Sequence, residues 1–98
     1  MLSVADIKTI VGPIAKDTEV EKIVLFGSYA KGGASEGSDI DLYLNSNGVI
    51  TGLAFYDLKS KFEDAFDVDV DLLPDLDIMP GSPVERQISE TGVVIYER

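Results

Sequence analysis

The chain has 98 residues, no cysteine, no histidine, and 8 basic against 18 acidic side chains, for a formal charge of −10. These counts exclude disulfides, thiolate nucleophiles, Ser-His-Asp triads, zinc fingers and imidazole bases, so any chemistry must run on carboxylates, hydroxyls, amines or a bound hard cation. The acid excess argues against a surface that tracks nucleic-acid phosphates, which would gather Lys and Arg, while 45% hydrophobic residues are too many for a disordered acidic tail.

A chain of this length buries roughly two thirds of the surface its unfolded form exposes, enough for one core without staples. The opening residues carry no basic leader, and no window approaches the about 18 uninterrupted apolar residues of a membrane span. With no repeat, low-complexity tract or proline-rich linker, the expectation is one cytoplasmic domain over residues 1–98 with no membrane contact.

Ser3 and Asp6 have the spacing of a capping box, in which hydroxyl and carboxylate satisfy amides otherwise orphaned at a helix start. Val4, Ile7, Ile10, Val11 and Ile14 then form one apolar helical stripe, which Gly12 and Pro13 are expected to kink or end early. Lys22 to Phe26 is a β-branched and aromatic run, ended by Gly27, that reads as a mostly buried strand. Four of the nine glycines fall between Gly27 and Ser38, a density expected where a backbone turns tightly or approaches something closely. From Asp39 to Leu44 the pattern alternates, with Asp39, Asp41 and Tyr43 on one face of a strand and Ile40, Leu42 and Leu44 on the other.

Asn45 to Gly48 is a turn. Leu53 to Phe66 has the pattern of a helix packed on a sheet, starting near Thr51 or Gly52, and Val68 to Leu73 alternates again. Ser82-Pro83-Val84-Glu85 places an N-cap, a first-turn proline and an acid three after the cap, so a helix should run to Gly92, and Val93 to Tyr96 closes with a strand. The whole is an α/β (α+β) arrangement, a small mixed β-sheet with helices packed on it.

Two acid pairs, Asp39/Asp41 and Asp69/Asp71, each put two carboxylates on one strand face, about 6.5 to 7 Å apart, with a neighbouring strand about 5 Å away. Three converging carboxylates repel one another unless a cation is present, which makes such an arrangement a candidate site for Mg²⁺ or Mn²⁺. An isolated Asp-x-Asp, however, most often only keeps the outer face of a sheet wet. The glycine-rich segment fails as a P-loop, since Gly33 and Ala34 stand where Lys and Ser or Thr are needed, and it contains no Gly-x-Gly-x-x-Gly. What remains is a strand, a Gly-Ser turn, a loop of small residues and a strand bearing Asp-x-Asp. Loop amides and the Ser28 hydroxyl can hold phosphate oxygens that a metal on the adjacent carboxylates also bridges.

The segment GSYAKGGASEGSDIDLYL, Gly27 to Leu44, resembles the signature of the minimal nucleotidyltransferases of the DNA polymerase β superfamily, where Gly-Ser and Asp-x-Asp sit at this spacing. Val70-Asp71-Leu72 is similar to the later strand that supplies the family's third carboxylate, and Gly92 to Glu97 is similar to its closing strand. The resemblance implies a polymerase-β-like nucleotidyltransferase fold and transfer of AMP from ATP to an acceptor hydroxyl, with pyrophosphate leaving. It also implies two Mg²⁺ ions, or Mn²⁺, held by Asp39, Asp41 and Asp71 as catalytic and metal-binding residues, and Gly27, Ser28 and Lys31 as nucleotide-binding residues. Asp69 stays open as an alternative third acid, since it shares a strand face with Asp71. Tyr29 departs from the many members with a basic residue at that position; Lys31 would supply the charge and Tyr29 would pack.

A unit of this size resembles the antitoxins whose partner is a HEPN toxin and which attach AMP to a tyrosine of it. The alternatives are a module that blocks the toxin stoichiometrically and an aminoglycoside-type nucleotidyltransferase subunit. No direct nucleic-acid contact is expected, and apolar sheet edges leave homo-oligomerisation open. Seven acids and no basic residue lie between Glu63 and Asp77; beyond the one implied at the metal, they would suit a basic partner or solubility.

Overall fold

A computed structural model describes residues 2–35 and 37–98. Helix α1 (Val4–Lys16) begins with the capping box: Ser3 Oγ accepts from the Asp6 amide at 3.0 Å, and Asp6 Oδ2 accepts from the Ser3 amide at 2.9 Å. It runs through Pro13 to Lys16 instead of breaking there. Proline withdraws the amide that Thr9 would receive, but Ile7, Val11 and Ala15, on both sides of it, are fully buried, and that shared face carries the helix past the defect. Strand β1 (Lys22–Phe26) follows, then β2 (Ile40–Asn45), α3 (Gly52–Phe66), β3 (Val70–Pro74), a 3-10 turn (Asp75–Asp77), α4 (Pro83–Thr91) and β4 (Val93–Glu97). Between β1 and β2 the structure adds one helical turn, α2 (Ser28–Lys31), where a loop was expected. Position 36 of that glycine-rich segment lies outside the described residues.

The four strands form a mixed sheet in the order β3-β2-β1-β4. β1 lies antiparallel to β2 and to β4, while β2 and β3 run parallel, joined across one face by α3. On that face Ile23, Leu25, Ile40, Leu42, Leu44, Val70 and Leu72 meet Ile7 and Val11 of α1 and Leu58, Phe62 and Phe66 of α3 in one core. At the far end of α3, Glu63 accepts a hydrogen bond from the Val70 amide at 3.2 Å. One acid of the 63–77 run therefore anchors the start of β3.

The opposite face carries Asp41 and Tyr43 beside Phe26 and Val24. It is covered in part by α4, whose Ser82 cap accepts from the Glu85 amide at 3.2 Å. A methyl on Gly92, at the end of α4, would come within 2.6 Å of Val24 Cγ1, so helix and strand meet closely there. No described helix is long and apolar enough to cross a membrane.

Candidate active site

The site forms where β1 ends and β2 begins. Phe26, the last residue of β1, is paired with Asp41, so the Gly27-Ser28 turn emerges directly beside the Asp41 carboxylate. Gly27 has φ +74°, and a methyl placed on it would overlap Asp41 Oδ2 and lie 3.0 Å from Asp41 Cγ. Both reasons to require glycine, the positive φ and the close approach, therefore apply at one position. The turn is tied by the Lys31 amide donating to the Gly27 carbonyl at 3.1 Å and the Gly33 amide donating to the Ser28 carbonyl at 2.9 Å.

Tyr29 is 8% exposed and belongs to the core, so it packs, as expected, and anchors the turn that carries Ser28. Lys31 ends the same helical turn and is exposed. Further on, Ser35 and Ser38 are joined by two hydrogen bonds, the Ser35 amide donating to Ser38 Oγ and the Ser38 amide to the Ser35 carbonyl, both at 3.0 Å.

The parallel register of β2 and β3 sets Asp41 directly beside Asp71. Partners in adjacent strands point to the same face, so these two carboxylates, from positions thirty residues apart, stand side by side. Asp69 lies before the start of β3, and its carbonyl accepts the Ile40 amide at 3.0 Å. Asp41 is half-buried, Asp39 and Asp71 exposed. Burial holds the Asp41 carboxyl above its ordinary range, and the negative charges of Asp71 and then Asp39 raise it further. Asp41 thus feels the other two candidate ligands.

The resemblance implies a divalent metal at this site. Among the described residues, no three His, Cys, Asp or Glu side chains are drawn together into a ready metal-binding group. The donors nevertheless suit a hard cation. They are mutually repelling carboxylates, and Asp41 is biased toward protonation by burial and then by its neighbours' charges, of which a divalent ion would remove the second part.

Sequence reasoning assigned no role to Tyr43, which shares the Asp41 face. Its hydroxyl is held above the ordinary tyrosine range by burial first, then by the charges of Asp75 and Glu85. The acidic field thus continues along β2 past the candidate ligands, and only the alternation of that strand pointed toward it.

A Gly-Ser turn thus abuts one carboxylate, which is itself aligned with a second across a parallel strand pair. The profile of the family described as Polymerase beta, Nucleotidyltransferase matches residues 8–98, and the chain belongs to that family. A Methanocaldococcus jannaschii protein named as a protein adenylyltransferase is 32% identical over 77 residues, covering 74% of this chain and 90% of that protein. A crystal structure of a toxin–antitoxin with AMP-PNP superposes with a TM-score of 0.77 at 26% identity, over 93% of this chain and 73% of that one. A tri-AMPylated Shewanella oneidensis HEPN toxin in complex with an MNT antitoxin matches with a TM-score of 0.71 at 23% identity, a likeness of fold, over 97% of this chain and 73% of that one.

Proposed function

We propose that the chain transfers AMP from ATP to a tyrosine hydroxyl of a helical HEPN-type toxin and so acts as its antitoxin. The observation that carries this reading is the alignment of Asp41 with Asp71, with Gly27 pressed against the Asp41 carboxylate. The toxin–antitoxin assemblies and the adenylyltransferase named above support the partner and the transferred group.

Asp39, Asp41 and Asp71 would hold the divalent metal, two ions in this reading. When bound, Mg²⁺ or Mn²⁺ offsets the triphosphate charge and acidifies the acceptor hydroxyl. Ser28 and the amides of its turn hold the β- and γ-phosphates, with Lys31 adding charge from the solvent side, and leave the α-phosphorus open to in-line attack. Asp71, more exposed than Asp41, faces the acceptor side and takes or orients the hydroxyl proton. The acceptor oxygen bonds to the α-phosphorus as the bond to the bridging oxygen breaks, and pyrophosphate carries away the electron pair.

Incubation with ATP, Mg²⁺ and the partner toxin, followed by intact-mass measurement, should add one or more AMP increments to the toxin. Label on the α-phosphate should appear in the toxin and γ-label in pyrophosphate. A tight complex with unchanged toxin mass would instead assign the chain to stoichiometric blocking.

A further inference from the structure

At the other end of the sheet, a groove of about 220 Å³ opens between the start of α3 and the end of β3. Buried Ile50, half-buried Phe55 and Pro74, and exposed Tyr56, Leu76 and Asp77 line it. Tyr56 is 64% and Leu76 69% exposed; Val49 at 61% and Leu53 at 89% adjoin the lining in the chain. Tyr56 and Leu76 thus line the groove, Leu53 stands three residues before Tyr56 on α3, and Val49 follows Gly48, where a methyl would lie 3.4 Å from Leu76 Cδ1. Scattered apolar residues need no explanation, but a gathered set around a concave surface marks an interaction site.

Charge selects the occupant. No basic side chain lines the groove and Asp77 does, at the end of a run of seven acids from Glu63 that holds no base. A second copy of this −10 chain would bring the same acids against them. An amphipathic helix whose apolar residues are flanked by Lys or Arg meets both features, its apolar side chains entering the groove and its cations reaching the acidic rim.

We infer that this groove docks a basic amphipathic helix of the partner protein, an inference that rests on the reading of the chain as one half of a two-protein pair. Three residues along β3 separate Asp71 from Pro74, about 10 Å, so a docked helix leaves the carboxylates open. Docking and transfer are then separable steps on one chain.

The test uses the full chain and a labelled amphipathic peptide of Leu and Lys, with a Leu/Glu peptide as its charge-reversed control, read by fluorescence anisotropy. The Leu/Lys peptide should bind, the Leu/Glu peptide should not, and the double variant Tyr56→Ser, Leu76→Ser should weaken binding at least about tenfold. Both side chains are largely exposed, so the variant should keep the wild-type melting curve. Equal binding of both peptides, or full binding by the double variant, overturns the proposal. So does a wild-type dimer in sedimentation that the double variant disperses, which would give the groove to a second copy. Failure of the transfer reading registers separately: a chain that binds Leu/Lys through the groove yet transfers no AMP to the toxin sinks transfer and leaves the docking site standing.

Discussion

The two faces of the sheet use the same strands for opposite purposes. In β2 the residues Ile40, Leu42 and Leu44 are fully buried beneath α1 and α3, while the alternate residues Asp41 and Tyr43 are half-exposed on the face that α4 only partly covers. One face gains stability from apolar area removed from water. The other gathers like charges that repel one another and weaken the fold. The contrast teaches that stability and chemistry are separated here by one residue of register, since a slip of one position would exchange the faces.

Substitutions on each side should therefore fail in different ways. Asp41→Asn should lower AMP transfer on the order of 10³-fold with the melting temperature of the metal-free protein held or raised; a variant that kept full activity would remove Asp41 from the chemistry. Asp71→Asn should behave similarly in activity, whereas Asp69→Asn should leave the rate near wild type, which steady-state assays of the pair can decide. On the apolar side, Leu42→Ala should cost about 2–5 kcal/mol of unfolding free energy in denaturant titration, with any surviving folded protein still active.

Gly27→Ala strikes both faces at once. Its backbone, at φ 74° and ψ −152°, lies in a region nearly closed to residues with a side chain, a penalty of about 1–3 kcal/mol, and the added methyl must displace Asp41. Both a lower denaturation midpoint and a large loss of transfer are expected. If only stability fell, the contact between the turn and Asp41 would have no part in catalysis.

The smallest effect is on pH. Because the Asp41 carboxyl is raised above 3.8 in the fold, the folded state binds its proton more tightly than the unfolded state does. Its ionisation therefore costs stability at neutral pH, and this cost disappears as the pH falls through the raised value, being gone below about 3.8. In EDTA, Asp41→Asn should thus melt higher than the wild type at neutral pH, with the gap closing toward acid. Added Mg²⁺ should raise the wild-type melting temperature and not that of the variant.

Much of this was legible before any coordinates. The Ser3 and Ser82 caps, the β-branched run of β1 and the alternation of β2 are local signals, and each element formed within a residue or two of its expected bounds. The early stop at Pro13 was not borne out, because a local helix breaker was outweighed by burial that only packing supplies. The helical turn at Ser28–Lys31 was hidden as well, since its anchor is Tyr29 reaching a core assembled from distant residues.

For the candidate site, the sequence by itself determined which residue types were available: carboxylates, one serine turn and glycine where a backbone must come close. Strand periodicity, being local, also suggested one face for Asp39 and Asp41, although β2 begins only at Ile40. The sequence could not choose between Asp69 and Asp71, which the same periodicity makes equivalent. What tertiary structure adds is the β2–β3 register, which sets Asp71 beside Asp41 and leaves Asp69 just before β3 begins. The groove was likewise decided only in three dimensions, because Tyr56 of α3 and Leu76 of the 3-10 turn meet through the packing of α3 against the sheet, which nothing local dictates.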